Sequence, residues 1–137
     1  MPTTPTSAQL LDLVPFAALI GLELLEAEAE LVRGRIAWSP ERCTAGGVMH
    51  GGALMALADT CGAVCAFLNL PQGAQATTTI ESKTNFLRAV REGQVTATTR
   101  PLHRGRTLTV LESELAREDG SLAAKVTQSQ AFIYPRG

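Results

Sequence analysis

Met49-His50-Gly51-Gly52-Ala53-Leu54-Met55-Ala56-Leu57-Ala58-Asp59-Thr60-Cys61-Gly62-Ala63-Val64-Cys65-Ala66-Phe67-Leu68 is the stretch that decides how this chain is read. Asp59 is its only acid, and it holds no base beyond His50. The run predicts a helix that is apolar almost all round, the pattern of a central, buried element. Burying an ionised carboxylate without compensation is expensive. An Asp kept in such a place is therefore expected to act, as a base, a nucleophile or a binding anchor. The competing reading, a carboxylate bonded to backbone at a helix end, fits less well because good helix formers extend on both sides of it.

At 137 residues the chain is one domain, large enough for a real core. Residues 1–7 are rich in Pro, Thr and Ser and predict a loose tail, leaving 8–137 as the domain. A formal net charge of −1 argues against a protein that works by attraction to nucleic acid or an anionic membrane. Aromatic residues make up 4% of the chain, too few to support base stacking as its function. Cys43, Cys61 and Cys65 have no disulfide-like spacing, and Cys61 and Cys65 share one helix face as small hydrophobes in a reducing compartment. The N-terminus lacks the basic and apolar regions of a signal peptide, and the Gly51–Leu68 run is short for a span and broken by Asp59. A soluble cytoplasmic protein is expected.

From Ser7, spaced apolar residues predict a short helix that Pro15 bends or ends. Leu22–Ala27 and the alternating Leu31–Trp38 predict a strand hairpin, closed by Ser39-Pro40. A loop with Gly46-Gly47 leads into the long helix. After the turn at Leu70–Gly73, the Thr- and Val-rich segments 76–87, 93–102 and 107–117 predict three strands. Asp119-Gly120 turns the last of these into a final strand, 122–134. The order gives an α+β domain, an antiparallel sheet wrapped on one helix. One sheet covers one side of that helix, so a second copy is expected on the other.

His50-Gly51-Gly52 stands where the helix begins. Its first N–H groups lack internal partners, glycine permits close approach, and the helix dipole favours a developing oxyanion. Gly51 and Asp59 are eight positions apart, so in a continuous helix they are ~12 Å apart along the axis. Both must converge on one carbonyl if they act together. One chain cannot supply both; two antiparallel helices across a dimer interface can, giving two shared sites.

These residues resemble the hotdog-fold acyl-CoA thioesterases, specifically the PaaI-like, phenylacetate-pathway type. The resemblance rests on His50-Gly51-Gly52 with the acid at Asp59, on Pro15-Phe16 followed by Ile20-Gly21-Leu22-Glu23-Leu24, on Thr84-Asn85-Phe86-Leu87-Arg88, and on His103-Arg104-Gly105-Arg106-Thr107. It implies a long central helix wrapped by an antiparallel sheet, homodimers often paired into tetramers, and hydrolysis of an acyl-CoA thioester. By position it implies that the Gly51 N–H polarises the thioester carbonyl. Asp59 of the partner chain would attack that carbonyl or activate water, and Thr79 would position the water or the carboxylate. His50 would orient the loop. A thioester is already activated, so one carboxylate and one oxyanion donor can suffice. No cofactor is implied, coenzyme A being part of the substrate. Its phosphates call for cations at the mouth, with Arg88, Arg104 and Arg106 as candidates beside Asn85. One departure stands out: Thr44 occupies the position six before the His where relatives place an Asn or Gln near the carbonyl. It bears on the acyl group more than on the reaction.

Rival chemistries fare worse. His50, His103 and the cysteines lack metal-ligand spacing, a thiol buried in an apolar helix is poorly activated, and no nucleophile-elbow motif accompanies a serine. The competing readings share the fold: a hotdog dehydratase or hydratase with His50 as base, or a non-catalytic acyl-CoA sensor that could dispense with Asp59. The acyl group, whether aryl-acetyl, hydroxyaryl or medium-chain, is left open.

Overall fold

The computed structural model describes residues 5–137. Helix α1 (Ser7–Asp12) opens with a capping box. The Thr6 hydroxyl accepts from the Gln9 N–H, and the Gln9 side chain accepts from the Thr6 N–H. Thr6 and Ser7 are thereby ordered at the end of the expected tail, whose residues 1–4 lie outside the described residues. Pro15 does not bend a single helix. It starts α2 (Pro15–Leu19), at the position where its missing N–H costs nothing.

The six strands are β1 (Glu23–Glu28), β2 (Leu31–Ala37), β3 (Ala76–Phe86), β4 (Gln94–Arg104), β5 (Leu108–Ala116) and β6 (Leu122–Ile133). They form one sheet in the order β1-β2-β4-β5-β6-β3, antiparallel throughout. Each predicted strand is present within a residue or two of its expected bounds. Gly120, at φ +84°, supplies the left-handed turn between β5 and β6.

Helix α3 (Gly51–Leu68) lies in the concave side of the sheet and touches every strand. By length and composition it could cross a membrane, but here the sheet wraps it. Leu54, Leu57, Ala58, Cys61 and Cys65 are buried against Val32 and Ile36 of β2, Val95 and Ala97 of β4, Leu111 and Leu115 of β5, and Val126 of β6. Gly34 on β2 lets the helix sit close, because a Cβ there would stand 2.8 Å from the Cys61 sulfur. A buried hydroxyl pair on neighbouring strands, Thr99 and Ser113, is mutually bonded at 2.6 Å.

The sheet closes only one side of α3. On the other side Gly52, Met55, Asp59 and Phe67 are exposed, with Ala56 and Ala63 half-buried between them. This corrects the expectation that Asp59 is buried: within one chain its helix face is open. Strand β3 borders that face and forms a sheet edge, pairing with β6 alone. A bulge between Thr79 and Glu81 leaves Ile80 as the extra residue, pointing outward at 59% exposure. The bulge keeps Thr77, Thr79, Ser82 and Thr84 on the helix side of the strand.

Candidate active site

The loop before α3 is held from several directions. The Trp38 indole donates to the Gly47 carbonyl, and Thr44 N–H pairs with the Val48 carbonyl at 2.8 Å. Met49 N–H reaches the Val90 carbonyl and His50 N–H the Arg42 carbonyl, both at 2.8 Å. Gly46 and Gly47 take φ +80° and +74°, which suits glycine and not other residues. The first residues of α3 are therefore fixed in place.

His50 is the N-cap of α3. Its Nδ1 accepts the Gly52 N–H at 2.7 Å, so the neutral ring carries its proton on Nε2. Gly52 must be glycine for this, since a Cβ would stand 2.8 Å from that nitrogen. The Ala53 N–H is taken by the His50 carbonyl. Among the described residues the Gly51 N–H meets no acceptor. Capping thus consumes one helix-end donor and leaves its neighbour free, with the dipole behind it. The Phe86 ring packs on the Gly51 Cα, 3.0 Å from where a Cβ would be.

A cavity of about 450 Å³ adjoins Gly51, lined by Thr44, Val48, Met49, Leu54, Phe86, Leu87 and Arg88 among others. It is mostly apolar, and Thr44 is its polar wall near the glycine. A second cavity, about 300 Å³, lies on the open face of α3 between Gly52, Met55, Ala56, Asp59, Thr79 and Ser82. There the Thr79 hydroxyl donates to Asp59 Oδ1 at 2.7 Å. Helix α3 is continuous from Gly51, so the ~12 Å separation along its axis holds. The fold brings Asp59 and Thr79 together and holds Gly51 and Thr44 together, but in one chain it keeps the two pairs in different cavities.

The cationic candidates are split as well. Arg88 lines the Gly51 cavity and donates to the Leu122 carbonyl at 2.9 Å. Arg104 sits near Cys65, and Arg106 borders a separate cavity with Pro71, Gln72 and Tyr134, both toward the far end of α3. Asn85 alternates with Thr84 and Phe86 and so faces the outer side of the sheet, beside Lys125. The expectation that Asn85 joins these arginines fails within the chain, because strand periodicity turns it away from α3. Cys61 and Cys65 are buried free thiols. Burial pushes Cys61 up to about 12, with Cys65 adding to it, and pushes Cys65 up to about 11. Neither is an activated nucleophile.

Two functional candidates escaped the sequence reading. Gln128 and Gln130 on β6 are fully buried, and Gln130 Nε2 donates to the Thr79 hydroxyl at 2.5 Å. Their signal was available: they stand in the inward phase of Ala124, Val126 and Phe132, where an apolar residue is expected.

Residues 46–124 match the model of the Thioesterase superfamily. The chain belongs to that superfamily. Membership puts it among the thioester hydrolases, and the wrapped helix is the hotdog fold. The 1,4-dihydroxy-2-naphthoyl-CoA hydrolase of Escherichia coli is 33% identical over 87 residues, 64% of this chain and 63% of that protein. A mutant of a thioesterase from Pseudomonas aeruginosa superposes at a TM-score of 0.90 with 26% identity, covering 97% of each chain. By sequence the chain matches 59% of the length of a putative esterase of Pseudomonas aeruginosa, with 35% identity over 85 residues. The PaaI protein of the E. coli phenylacetic acid degradation operon superposes at 0.82, covering 93% of this chain and 91% of its own. At 22% identity it speaks for the fold alone.

Proposed function

We propose that this thioesterase hydrolyses acyl-CoA thioesters at sites shared between two copies of the chain. The Asp59–Thr79 pair, aimed into a cavity on the open face of α3, is the observation that carries the reading. In an antiparallel pairing of two α3 helices, Gly51 of one copy meets Asp59 of the other. The small residues Gly52, Ala56 and Ala63 on that face allow close approach of the backbones. The same pairing brings the Arg104 end of one copy toward the Gly51 end of the other, which favours a joint role of Arg88, Arg104 and Arg106 at the coenzyme phosphates.

In the reaction the free Gly51 N–H stabilises the oxyanion as the thioester carbonyl is attacked. Asp59 either attacks that carbonyl itself or takes the proton of the water that does. The thiolate of coenzyme A then leaves; where Asp59 attacked, water hydrolyses the mixed anhydride it formed, and by either route the free acid follows. Apolar walls beside Gly51 suit an apolar acyl group, and the aromatic substrate named for the E. coli hydrolase falls in that class. His50 acts as a cap, which disfavours the dehydratase reading: a base would need its lone pair outward, and that nitrogen carries the proton. A pure acyl-CoA sensor would have no use for the hydrogen-bonded carboxylate.

The test is free-thiol release from aromatic and aliphatic acyl-CoAs by the wild type and by Asp59→Asn. Release that depends on Asp59 supports the reading and ranks the acyl groups. Binding of the thioesters without release from any of them removes it.

A further inference from the structure

The buried amides of Gln128 and Gln130 link the helix backbone to the Asp59 carboxylate through one continuous series of hydrogen bonds. Gln128 Nε2 donates to the Ala58 carbonyl at 2.9 Å. Gln130 Nε2 donates both to Gln128 Oε1 at 2.7 Å and to Thr79 Oγ1 at 2.5 Å. Thr77 donates to Gln130 Oε1 at 3.1 Å. Thr79 ends the series by donating to Asp59 Oδ1 at 2.7 Å.

The series has one possible direction. A carbonyl oxygen only accepts, so Gln128 must present its NH2 to Ala58 and its oxygen to Gln130. Gln130 must then answer with an N–H, and its second N–H falls on Thr79. That contact occupies a lone pair of the Thr79 oxygen and leaves the hydroxyl proton to go to Asp59. Gly62 makes the arrangement possible, since a Cβ there would stand 2.0 Å from Gln128 Nε2. Both glutamines are at most 1% exposed, so water does not compete for the bond between them.

We propose that Gln130, oriented by Gln128, is a positioning residue that commits the Thr79 proton to Asp59 Oδ1 and so leaves Oδ2 as the reacting oxygen. This rests on the assignment of Asp59 as the working carboxylate. Gln130 is buried behind Thr79 and lines neither cavity, so the device acts on turnover and not on substrate affinity.

Gln130→Met keeps size and burial but removes both donors. It should lower kcat about tenfold, the scale of one buried hydrogen bond, with KM within about twofold. Thr79→Val should give a comparable loss, and the double variant should be no slower than the slower single one, because both remove the same bond. A purely structural glutamine predicts losses that multiply. Should Gln130→Met not fold, Gln130→Glu carries the same test: its carboxylate would accept from Thr79, turn that proton away from Asp59, and lower kcat likewise. An unchanged kcat in a folded Gln130 variant, or multiplying losses, overturns the proposal. Wild-type thiol release that depends on Asp59 yet ignores Gln130 sinks this inference alone, whereas wild-type protein that releases no thiol sinks the thioesterase reading with it.

Discussion

Helix α3 has two faces of nearly equal hydrophobicity and opposite uses. The face toward the sheet carries Leu54, Leu57, Ala58, Cys61 and Cys65, close-packed and buried. The other face carries Gly52, Met55, Asp59 and Phe67, open within the chain. The first holds the domain together, and the second carries the proposed chemistry. Apolar residues on an exposed helix face fit the proposed pairing of two copies, and the lone acid among them is the group to which that proposal assigns the reaction.

The contrast is testable from both sides. The largest effect belongs to the open face: Asp59→Asn should cut kcat/KM by about 10²–10⁴-fold while changing stability by under about 1 kcal/mol. Thiol release and thermal melting measure the two, and a large loss of stability would break the division of labour. Leu57→Ala, on the sheet-facing side, should do the reverse and cost about 2–5 kcal/mol of unfolding free energy in a denaturant titration.

Sharing of the site can be read by complementation. Gly51→Pro removes the free N–H at the first helical position, where proline is tolerated, and His50 already has the extended backbone that precedes a proline. Refolded together, inactive Gly51→Pro and Asp59→Asn chains should regain about a quarter of wild-type turnover, since half the random dimers carry one intact site of two. No regain, with mixed dimers present, would overturn the shared site. Arg88→Ala should raise KM by a few fold with kcat held, as expected of an exposed phosphate contact.

The smallest effect tests the sheet-facing thiols. Folded Cys61 titrates at about 12 against an ordinary 9.0, so between those values the unfolded chain loses a proton that the folded chain keeps. Stability should therefore fall as pH rises above about 9, and Cys61→Ala should flatten that fall in paired urea titrations.

Much of this molecule was legible in its residues. Alternating apolar positions placed the strands, Asp119-Gly120 placed a turn, and His50-Gly51-Gly52 placed the start of α3, because these are local matters of periodicity, backbone freedom and capping. Asp59 was legible as the odd acid in an apolar run. Its exposure was not, because a helix apolar all round does not announce which face a sheet will cover.

The resemblance already set Thr79 beside Asp59; only the tertiary structure decided which groups stand behind that pair. Thr79 lies 20 residues from Asp59, and Gln128 lies 70 from Ala58. Gln130 reaches Thr79 only because a bulge at Ile80 and the β3–β6 register set them side by side. The far positions of Arg104 and Arg106, and the outward turn of Asn85, were likewise matters of strand phase and sheet order. A sequence specifies hydrogen-bonding capacity residue by residue. Which donor finds which acceptor is settled when burial removes water as the alternative partner, and that happens only in the packed fold.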